Sequence, residues 1–441
     1  MARQYLIQGS TASGIADSVE SGVRDGGLAP GALLPPVRRL ADDLGVAANT
    51  VAAAYRALRQ RGVIETDGRR GTRIRPRPAA QPRGALGVSV PAGARDLATG
   101  GPSPRLLPDY GPVLARLRPD PAGYPEVGPV PELAVAARAR LAADGVPAEH
   151  LTVTSGALDG IERCLVAHTS PGDRIAVEDP GWANLLDLVA ALGLDPVPVP
   201  VDGDGPDPAG LRKALHQGVR ALIVTSRAHN PTGAAVSGPR AGELRAILAG
   251  YPDTLVIEDD HAAELAGVPL HTLAGATPHW AVIRSASKPY GPDLRLALLA
   301  GDERTVSRVQ GRQRLGAGWV SHVLQGLAVG LWADPAVADV VERARATYTS
   351  RRAGLLAALA AEGVEATGRT GLNVWVPVHD ETTAVAALRD SGWVAAPGAR
   401  FRIRSGPGLR VTISTLGDDE IAPLARAIAG AVKPHATGHG A

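Results

Sequence analysis

Lysine is almost absent from this chain, although arginine is plentiful. Of the 46 lysine and arginine residues among 441, only three are lysine (Lys213, Lys288 and Lys433) and the other 43 are arginine. Lys288 stands in SASKPYGPDLRL, residues 285–296, beside a Pro-Tyr-Gly turn. A guanidinium keeps its proton, whereas an amine can lose its proton and form a Schiff base with an aldehyde. The lysine therefore marks position 288 as a candidate site of amine chemistry.

Other scarcities exclude whole classes of protein. A single cysteine, Cys164, rules out an internal disulfide framework. No apolar run approaches the roughly 18 residues that a membrane-spanning helix needs, and MARQYLIQGS lacks the apolar core of a signal peptide, so we expect a cytoplasmic protein without a membrane partner. We predict no metal site. The length of 441 residues predicts two or three domains.

The net charge of +2 conceals an uneven distribution. Residues 1–95 hold 14 arginines, no lysine and 7 acidic residues, a balance of +7, which leaves −5 for the remainder. A basic N-terminal block on an acidic body predicts a polyanionic partner for that block. Chance clustering of surface arginine is the alternative, and charge by itself does not decide between them.

The first 75 residues carry the pattern of three short helices followed by a hairpin. Apolar residues recur at helical spacing in three runs, which are separated by Gly26-Gly27 and by Gly45. The third helix is predicted to begin at Ala48 or Asn49, and two short strands flank Asp67-Gly68, a hairpin-turn signal. The apolar positions are Ile15, Val19 and Val23, then Val37, Leu40, Ala41 and Leu44, then Val51, Tyr55 and Leu58.

Two helices joined by a tight glycine turn can place the second helix in the major groove of DNA. The residues predicted to contact DNA lie at the start of that helix, on the preceding helix and at the hairpin tip. They are Asn49 and Thr50, Arg38 and Arg39, and Arg69 and Arg70. The alternative from spacing alone is a small helical dimerisation module with solvated arginines, because such helix patterns are common.

This stretch resembles the winged helix-turn-helix of the GntR family of DNA-binding regulators. The matching residues are Gly27, Leu28, Pro30, Gly31, Leu34, Pro35, Arg38, Leu40, Ala41, Leu44, Gly45, Val46, Asn49, Thr50, Val51, Ala54, Tyr55, Leu58, Gly62, Ile64, Gly71 and Thr72. The resemblance implies that residues 1–75 bind double-stranded DNA. One departure is Ala47-Ala48, where relatives often carry Ser-Arg or Asn-Arg, so a contact common in the family is missing.

A second architecture follows a tether. Residues 76–95 are rich in proline, arginine and glycine and lack hydrophobic periodicity, which is typical of an extended linker. Beyond them, over residues 96–436, short apolar strands alternate with helices. This alternation predicts an α/β fold with a mainly parallel, doubly wound sheet, whose ligands bind beyond the carboxyl ends of the strands.

Polar residues collect just past several of these strands. Gly156 and Ala157, after Ser155, offer backbone N–H groups to an anion, while Trp182 offers a flat face to an aromatic ring. Ser285 offers a hydroxyl and Arg295 a guanidinium to a phosphate. Asn230 can donate to a phenolate oxygen, and Asp259 can keep a ring nitrogen protonated. Taken singly, each has an ordinary structural explanation, such as a turn, a strand-end cap or a core tryptophan. Together with Lys288 they predict a site for pyridoxal 5′-phosphate (PLP).

These residues also resemble the motifs of fold-type I aminotransferases of class I/II. The matching strings are SGA at 155–157, EDPGW at 178–182, HNPTG at 229–233, EDD at 258–260, SASK at 285–288 and LR at 294–295. The resemblance implies a smaller C-terminal α+β subdomain, a substrate-carboxylate arginine at Arg410, and a tyrosine, Tyr124, that reaches the partner subunit's phosphate. His261 stands where relatives usually have a tyrosine, so the imidazole is expected to face the ring oxygen.

A GntR-like DNA-binding domain, or DNA reader, joined to such a body resembles the MocR-type transcriptional regulators. The string SRAHNPTG at 226–233 resembles a subgroup of these regulators that is tied to vitamin B6 metabolism. The family implies a homodimer that places two readers on paired half-sites, with PLP or its adduct with an amine or amino acid as effector. Two alternatives stay open. One is a working aminotransferase that also binds DNA, and the other is a PLP fold kept only as a dimerisation scaffold.

Overall fold

The computed structural model describes residues 5–24, 27–60, 63–66, 71–74, 90–118, 124 and 128–432. The helices are α1 (Ala12–Arg24), α2 (Val37–Leu44), α3 (Ala48–Gln60), α4 (Gly111–Arg116), α5 (Pro131–Ala143), α6 (Ala157–His168), α7 (Ala183–Ala191), α8 (Pro208–His216), α9 (Gly238–Leu248), α10 (Ser287–Tyr290), α11 (Glu303–Arg314), α12 (His322–Ala333), α13 (Pro335–Ala361), α14 (Glu381–Asp390) and α15 (Ile421–Val432). The strands are β1 (Ile64–Thr66), β2 (Thr72–Ile74), β3 (Arg95–Asp96), β4 (His150–Thr154), β5 (Arg174–Asp179), β6 (Asp195–Asp202), β7 (Gly205–Pro206), β8 (Ala221–Thr225), β9 (Leu255–Asp260), β10 (Trp280–Ser285), β11 (Ala297–Gly301), β12 (Asn373–Pro377), β13 (Trp393–Val394), β14 (Ala396–Pro397) and β15 (Gly408–Thr412).

The N-terminal helices form a small domain with its own core. The apolar faces of α1, α2 and α3 meet around Ile15, Leu40 and Leu58, which are all buried. Gly45 ends α2 in a left-handed conformation, with φ +64°, as the glycine-turn prediction requires. The strands β1 and β2 pair antiparallel, with Ile64 opposite Ile74. The predicted helix-turn-helix and wing strands are therefore confirmed, whereas Asp67-Gly68 lies outside the described residues.

The body is built on an eight-stranded sheet in the order β4-β11-β10-β9-β8-β5-β6-β7. The five strands β10, β9, β8, β5 and β6 run parallel to one another. Strand β11 runs antiparallel to both of its neighbours, and β7 antiparallel to β6. The mainly parallel sheet is confirmed, and the carboxyl ends of its parallel strands meet at one edge.

Helices cover both faces of this sheet because each strand sends alternate apolar side chains to opposite sides. In β8, Leu222 and Val224 join the core shared with α5, α8 and α9, while Ile223 joins the core shared with α6, α7 and α11. Within the described residues, no single helix is long and apolar enough to cross a membrane; α12 and α13 pass that test only when joined across a bend of 77°.

A smaller C-terminal unit contains a three-stranded antiparallel sheet, β12-β15-β14, with α13, α14 and α15, as expected. The chain enters the body at β3, which pairs parallel with β13 so that Arg95 lies opposite Trp393. The backbone N–H of Arg95 donates a hydrogen bond to the Gly392 carbonyl at 2.8 Å. Arg95 is the last residue of the predicted linker, so the end of that linker contacts the body. The domain boundaries at 75, 95 and 436 stay predictions.

Candidate functional site

A cavity of about 340 Å³ opens at the carboxyl ends of the parallel strands. It lies beyond β8, β9 and β10 and against the first turn of α6. The predicted residues that line it are Ala157, Trp182, Asn230, Asp259, His261, Ser285, Lys288 and Arg295. Residues from distant parts of the sequence therefore meet in one place, because consecutive strands of a parallel sheet end at the same edge.

Lys288 lies in α10, three residues beyond the end of β10. Its ammonium group donates a hydrogen bond to the carbonyl oxygen of Gly100 at 2.7 Å. Burial, and next the positive charge of Arg410, lower the pKa of Lys288 from 10.5 to about 8, against the opposing effect of Asp259. A larger fraction of this amine is consequently neutral near physiological pH than for an ordinary lysine, as a nucleophile requires.

Asp259 is buried at the end of β9 and faces the cavity. Its Oδ2 atom lies 3.3 Å from Nδ1 of His261, whereas Oδ1 is buried without a hydrogen-bond partner. A buried carboxylate oxygen without a partner is costly, so it indicates a donor supplied by a ligand. The His261 imidazole, which sequence reasoning assigned to a ring oxygen, contacts the carboxylate of Asp259 here.

The loop between β4 and α6, residues 155–157, is a candidate phosphate cradle. The N–H groups of Gly156 and Ala157 are its candidate donors, because the Ser155 N–H already donates to Oδ2 of Asp159 at 2.9 Å. Gly156 precedes α6 with φ +102°, and a Cβ atom there would lie 2.8 Å from Nη2 of Arg295. The exposed guanidinium of Arg295 donates to the Ser155 carbonyl at 2.7 Å, and the hydroxyl of Ser285 accepts from the backbone N–H of Ser287 at 3.2 Å. A glycine, a helix N-terminus and an arginine at one point are suited to a phosphate.

Arg410, in β15, is buried next to this cavity. Its guanidinium donates to Oδ1 of Asn230 at 3.1 Å and to the carbonyl of Ala98, and it lies over the Phe401 ring at 4.8 Å from the centroid. Burial and the charge of Arg400 lower the pKa of Arg410 to about 10. Its Nε has no hydrogen-bond partner, so a buried cation with spare donor capacity lies beside Asn230.

The two aromatic candidates lie in different settings. Trp182 is half-buried, precedes α7 and lines the cavity. Tyr124 is 96% exposed and contacts Trp319 edge-to-face, with 5.9 Å between the ring centroids. Tyr124 is not brought to the cavity of its own chain, and its expected contact with the phosphate of a partner subunit stays a prediction.

The candidate DNA contacts lie on the surface of the N-terminal domain. Arg38 and Arg39 are exposed on α2, Asn49 is exposed in the first turn of α3, and Thr50 is half-buried beside it. Arg69 and Arg70 lie outside the described residues. Because α3 follows the Gly45 turn, its first turn is presented in the way that major-groove recognition requires.

Sequence reasoning missed the segment that follows β3. Gly100 lines the cavity and accepts the hydrogen bond of Lys288, and the Ala98 carbonyl accepts from Arg410. Thr225 and Asn373 also line the cavity. The pair Gly100-Gly101 was a usable signal, since adjacent glycines mark turns and close backbone approach; nothing comparable distinguishes Asn373.

The groups present fit PLP. An amine with a lowered pKa suits its aldehyde, the Oδ1 atom of Asp259 suits a protonated ring nitrogen, and the Gly156 cradle suits its phosphate. Among the described residues, no group of three or more His, Cys, Asp and Glu side chains is placed to hold a metal ion.

Two family models match the chain in separate regions. Residues 11–74 match the bacterial regulatory proteins of the gntR family, and residues 122–428 match aminotransferase class I and II. The solved structures that the body resembles include Pyrococcus horikoshii kynurenine aminotransferase in complex with PMP and kynurenine (TM-score 0.70, 21% identity, 78% of this chain and 91% of that chain). They also include α-aminoadipate aminotransferase LysN from Thermus thermophilus, complexed with N-(5′-phosphopyridoxyl)-L-leucine (TM-score 0.69, 22% identity, 78% of this chain and 92% of that chain). At these identities they show the fold alone.

Two transcriptional regulators are more similar to this chain in sequence identity. The vitamin B6 salvage pathway transcriptional repressor PtsJ of Salmonella typhimurium is 42% identical over 425 residues, 95% of this chain and 98% of that protein. The HTH-type pyridoxine biosynthesis transcriptional regulator PdxR of Corynebacterium glutamicum is 31% identical over 276 residues, 60% of each chain. With both of its domains matched, the chain belongs to the MocR-type family of transcriptional regulators, in which a GntR-type DNA-binding domain is joined to an aminotransferase class I/II domain.

Proposed function

We propose that this regulator binds PLP at Lys288 and changes its affinity for DNA in response to PLP, or to PLP joined to an amine. The observation that carries the proposal is the buried amine of Lys288, with its pKa lowered to about 8, in a cavity that also exposes an unpartnered oxygen of Asp259. The names of PtsJ and PdxR, a repressor of vitamin B6 salvage and a regulator of pyridoxine biosynthesis, support a B6 compound as effector.

Each of these side chains would bind a different part of the cofactor. Lys288 would supply the amine that bonds to its aldehyde, and the Oδ1 atom of Asp259 would accept a hydrogen bond from the protonated ring nitrogen. Asn230 donates to the ring oxygen, and Trp182 covers one face of the ring. The phosphate would be held by Arg295, Ser285 and the N–H groups of Gly156 and Ala157. When bound, PLP supplies an electrophilic carbon that a primary amine can attack.

Arg410 would select among amines. Its guanidinium is buried, and its Nε has no protein partner. A carboxylate is the anion that matches the planar fork of a guanidinium. The proposed effector chemistry therefore includes an amino acid whose carboxylate binds Arg410 while its amine reaches the cofactor.

We further propose a homodimer that completes each site. Tyr124 and Leu315 are 96% and 83% exposed, and Leu114 and Val323 are also exposed apolar side chains of the body. A second copy would cover them and bring its Tyr124 to the phosphate cradle. Two subunits carry two DNA readers, so the operator would contain paired half-sites.

The polar residues of the cavity and its surroundings also favour a second function, the transfer of amino groups. Lys288, Asp259 and Arg410 are all present, and the body has the fold of aminotransferases. The protein would then also transfer an amino group from an amino acid to the cofactor and release a keto acid. Incubation with single amino acids and PLP separates the two functions, because turnover produces a keto acid and effector binding does not.

Equilibrium DNA binding tests the regulatory proposal. A duplex selected by the full-length protein from random-sequence DNA is titrated with and without PLP, beside Lys288→Ala. We expect PLP to change the dissociation constant of the native protein by about fivefold or more, the lower end of usual allosteric coupling, and to leave the variant unchanged. Equal affinities of the native protein with and without PLP would refute PLP as an effector.

A further inference from the structure

Two cations of the site hold one short piece of backbone, residues 97–101, that lies between the tether and the body. The ammonium of Lys288 donates to the Gly100 carbonyl at 2.7 Å. The guanidinium of Arg410 donates to the Ala98 carbonyl. Both acceptors are main-chain oxygens, so these two hydrogen bonds depend on the position of the backbone and not on the side chains of the segment.

Three further hydrogen bonds fix the same segment on the body. The Leu97 N–H donates to the Val394 carbonyl at 2.8 Å, and the Leu97 carbonyl accepts from the Thr412 N–H at 2.8 Å. The Gly100 N–H donates to Oγ1 of Thr412 at 3.1 Å. Gly100 has φ +67°, and a Cβ atom there would lie 2.8 Å from Nη1 of Arg410. This conformation requires glycine, which also lets the cation approach.

Arg95 anchors the end of this segment that is nearest the tether. Its guanidinium forms an ion pair with Glu420 at 2.6 Å and donates to the Thr415 carbonyl at 2.7 Å. Its backbone N–H donates to the Gly392 carbonyl at 2.8 Å. The predicted linker, residues 76–95, ends at this point, so the path toward the DNA-binding domain leaves the body at Arg95.

We propose that residues 95–101 couple the ligand site to the DNA-binding domain, an inference that rests on the proposed binding of an aldehyde cofactor at Lys288. Without the cofactor, Lys288 and Arg410 hold the carbonyls of Gly100 and Ala98. A ligand that engages these cations removes the donors from the segment. The segment can then take a second arrangement, in which the protein differs in DNA affinity.

The chemistry of an amine explains the loss of the first donor. When an ammonium condenses with an aldehyde, a C=N bond forms, the C=O bond breaks, and the oxygen leaves as water. Of the three hydrogens on nitrogen, two leave with the oxygen and one stays, in the plane of the new double bond. We expect the hydrogen bond to Gly100 to be lost, because the Lys288 nitrogen keeps one hydrogen whose direction is fixed by the double bond, in place of three that rotate freely. A ligand carboxylate on Arg410 competes with the Ala98 carbonyl in the same way.

Hydrogen–deuterium exchange on the full-length protein tests the contact directly. We expect PLP to raise the exchange rate of the backbone amides of Leu97 and Gly100 by about threefold or more, as local opening predicts. Lys288→Met, which has neither donor nor nucleophile, is expected to show the raised rate without PLP. Lys213→Met, a change at the exposed lysine of α8, is the matched control and should behave like the native protein.

DNA affinity tests whether the segment transmits the signal. Arg95→Gln and Glu420→Gln loosen the anchor without touching the cavity, and Arg389→Gln, at an exposed ion pair with Asp390, is the matched control. We expect both anchor variants to bind PLP as the native protein does, while the PLP-dependent change in DNA affinity falls to less than about twofold. The control should keep the full change.

The two proposals fail in different ways. If borohydride links PLP to Lys288 but the exchange rates at 97–101 stay constant, the coupling is wrong and the PLP site stands. The coupling is also wrong, with the PLP site intact, if Arg95→Gln keeps the full PLP-dependent change in DNA affinity. If PLP does not link to Lys288 at all, the proposed function fails and the coupling falls with it.

Discussion

Asp259 turns one carboxylate oxygen toward His261, with Oδ2 3.3 Å from Nδ1, and leaves Oδ1 unpartnered at the wall of the cavity that Lys288 also lines. The imidazole therefore contacts one oxygen of the carboxylate and leaves the other available. A positioning residue behind a ligand-binding carboxylate is the arrangement that holds such a group in a single orientation.

We expect Asp259→Asn to weaken PLP binding by about tenfold or more, because a charge-assisted hydrogen bond to the ring nitrogen is lost. His261→Phe should weaken it less, since the carboxylate keeps its charge and loses only its orientation. Titration of PLP followed by absorbance measures both effects. Asp253→Asn, at an exposed acidic residue, is the control. Equal affinities of Asp259→Asn and native protein would contradict the assigned role.

The rate at which PLP joins Lys288 should depend on pH. Only the neutral amine attacks an aldehyde, and burial together with Arg410 lowers the pKa of Lys288 to about 8. The rate constant should therefore rise with pH and level off above about pH 8, as followed by stopped-flow absorbance. Arg410→Met removes a positive charge and should move the midpoint to higher pH. A midpoint near 10.5, the ordinary lysine value, would show that the site does not activate the amine.

The proposed DNA contacts of α2 and α3 predict different effects on DNA affinity. Arg38→Ala should weaken binding to all duplexes alike and reduce the salt dependence by about one unit of slope, since a phosphate contact is lost. Asn49→Ala should cost about 1–3 kcal/mol on the selected duplex and relax its sequence preference. Fluorescence anisotropy over a range of salt concentrations measures both, with Arg389→Ala as the control. Unchanged affinity in both variants would indicate that another surface binds DNA.

A buried ion network around Asp260 should contribute measurably to the stability of the body. The carboxylate of Asp260 accepts from Arg227 Nε and Nη2, both at 2.9 Å, and from Arg284 Nε at 2.8 Å. Burial alone would raise the pKa of Asp260, but the two guanidinium groups outweigh it and lower the pKa from 3.8 to about 2. This contribution to stability is fully present above pH 3.8 and is lost as the pH falls toward 2.

Asp260→Ala is accordingly expected to lower the free energy of unfolding by about 3–5 kcal/mol, because the guanidinium groups of Arg227 and Arg284 lose their buried counter-ion. They keep only the half-buried Asp144, whose Oδ2 lies 3.4 Å from Arg227 and 2.6 Å from Arg284. Asp202→Ala removes an exposed carboxylate from its pair with the half-buried Arg240 and should cost less than about 1 kcal/mol. Urea unfolding monitored by tryptophan fluorescence compares them. Similar losses in the two variants would mean that the network is not a major source of stability.

Much of the fold follows from local signals in the sequence. Apolar spacing and Gly45 are enough to predict α2, the turn and α3, and alternating strand and helix patterns predict the parallel sheet. Residues at strand ends, such as Asp259 and Lys288, are predictable as a group because parallel strands finish at one edge. These patterns extend over a few neighbouring residues, and the geometry of helices and parallel strands determines the structure that they form.

Contacts made by main-chain atoms could not be predicted in the same way. The Gly100 and Ala98 carbonyls accept from Lys288 and Arg410, but every residue has a carbonyl group. The pair Gly100-Gly101 indicates a close backbone approach, yet it does not identify the side chains that come there. The antiparallel direction of β11 is equally hidden, since its run of apolar residues suits either direction. The partner that His261 takes, Asp259, depends on side-chain rotation at the end of β9.

Trapping of PLP on the protein tests the central claim most directly. Purified full-length protein is mixed with PLP, its visible absorption is recorded, and borohydride is added before peptide mass analysis, beside Lys288→Ala and Lys213→Ala. We expect a visible absorption band that borohydride removes, with the cofactor mass fixed on Lys288, and no band in Lys288→Ala. A native protein without such a band, or with the mass distributed among exposed amines, would contradict the assignment of Lys288 as the PLP site.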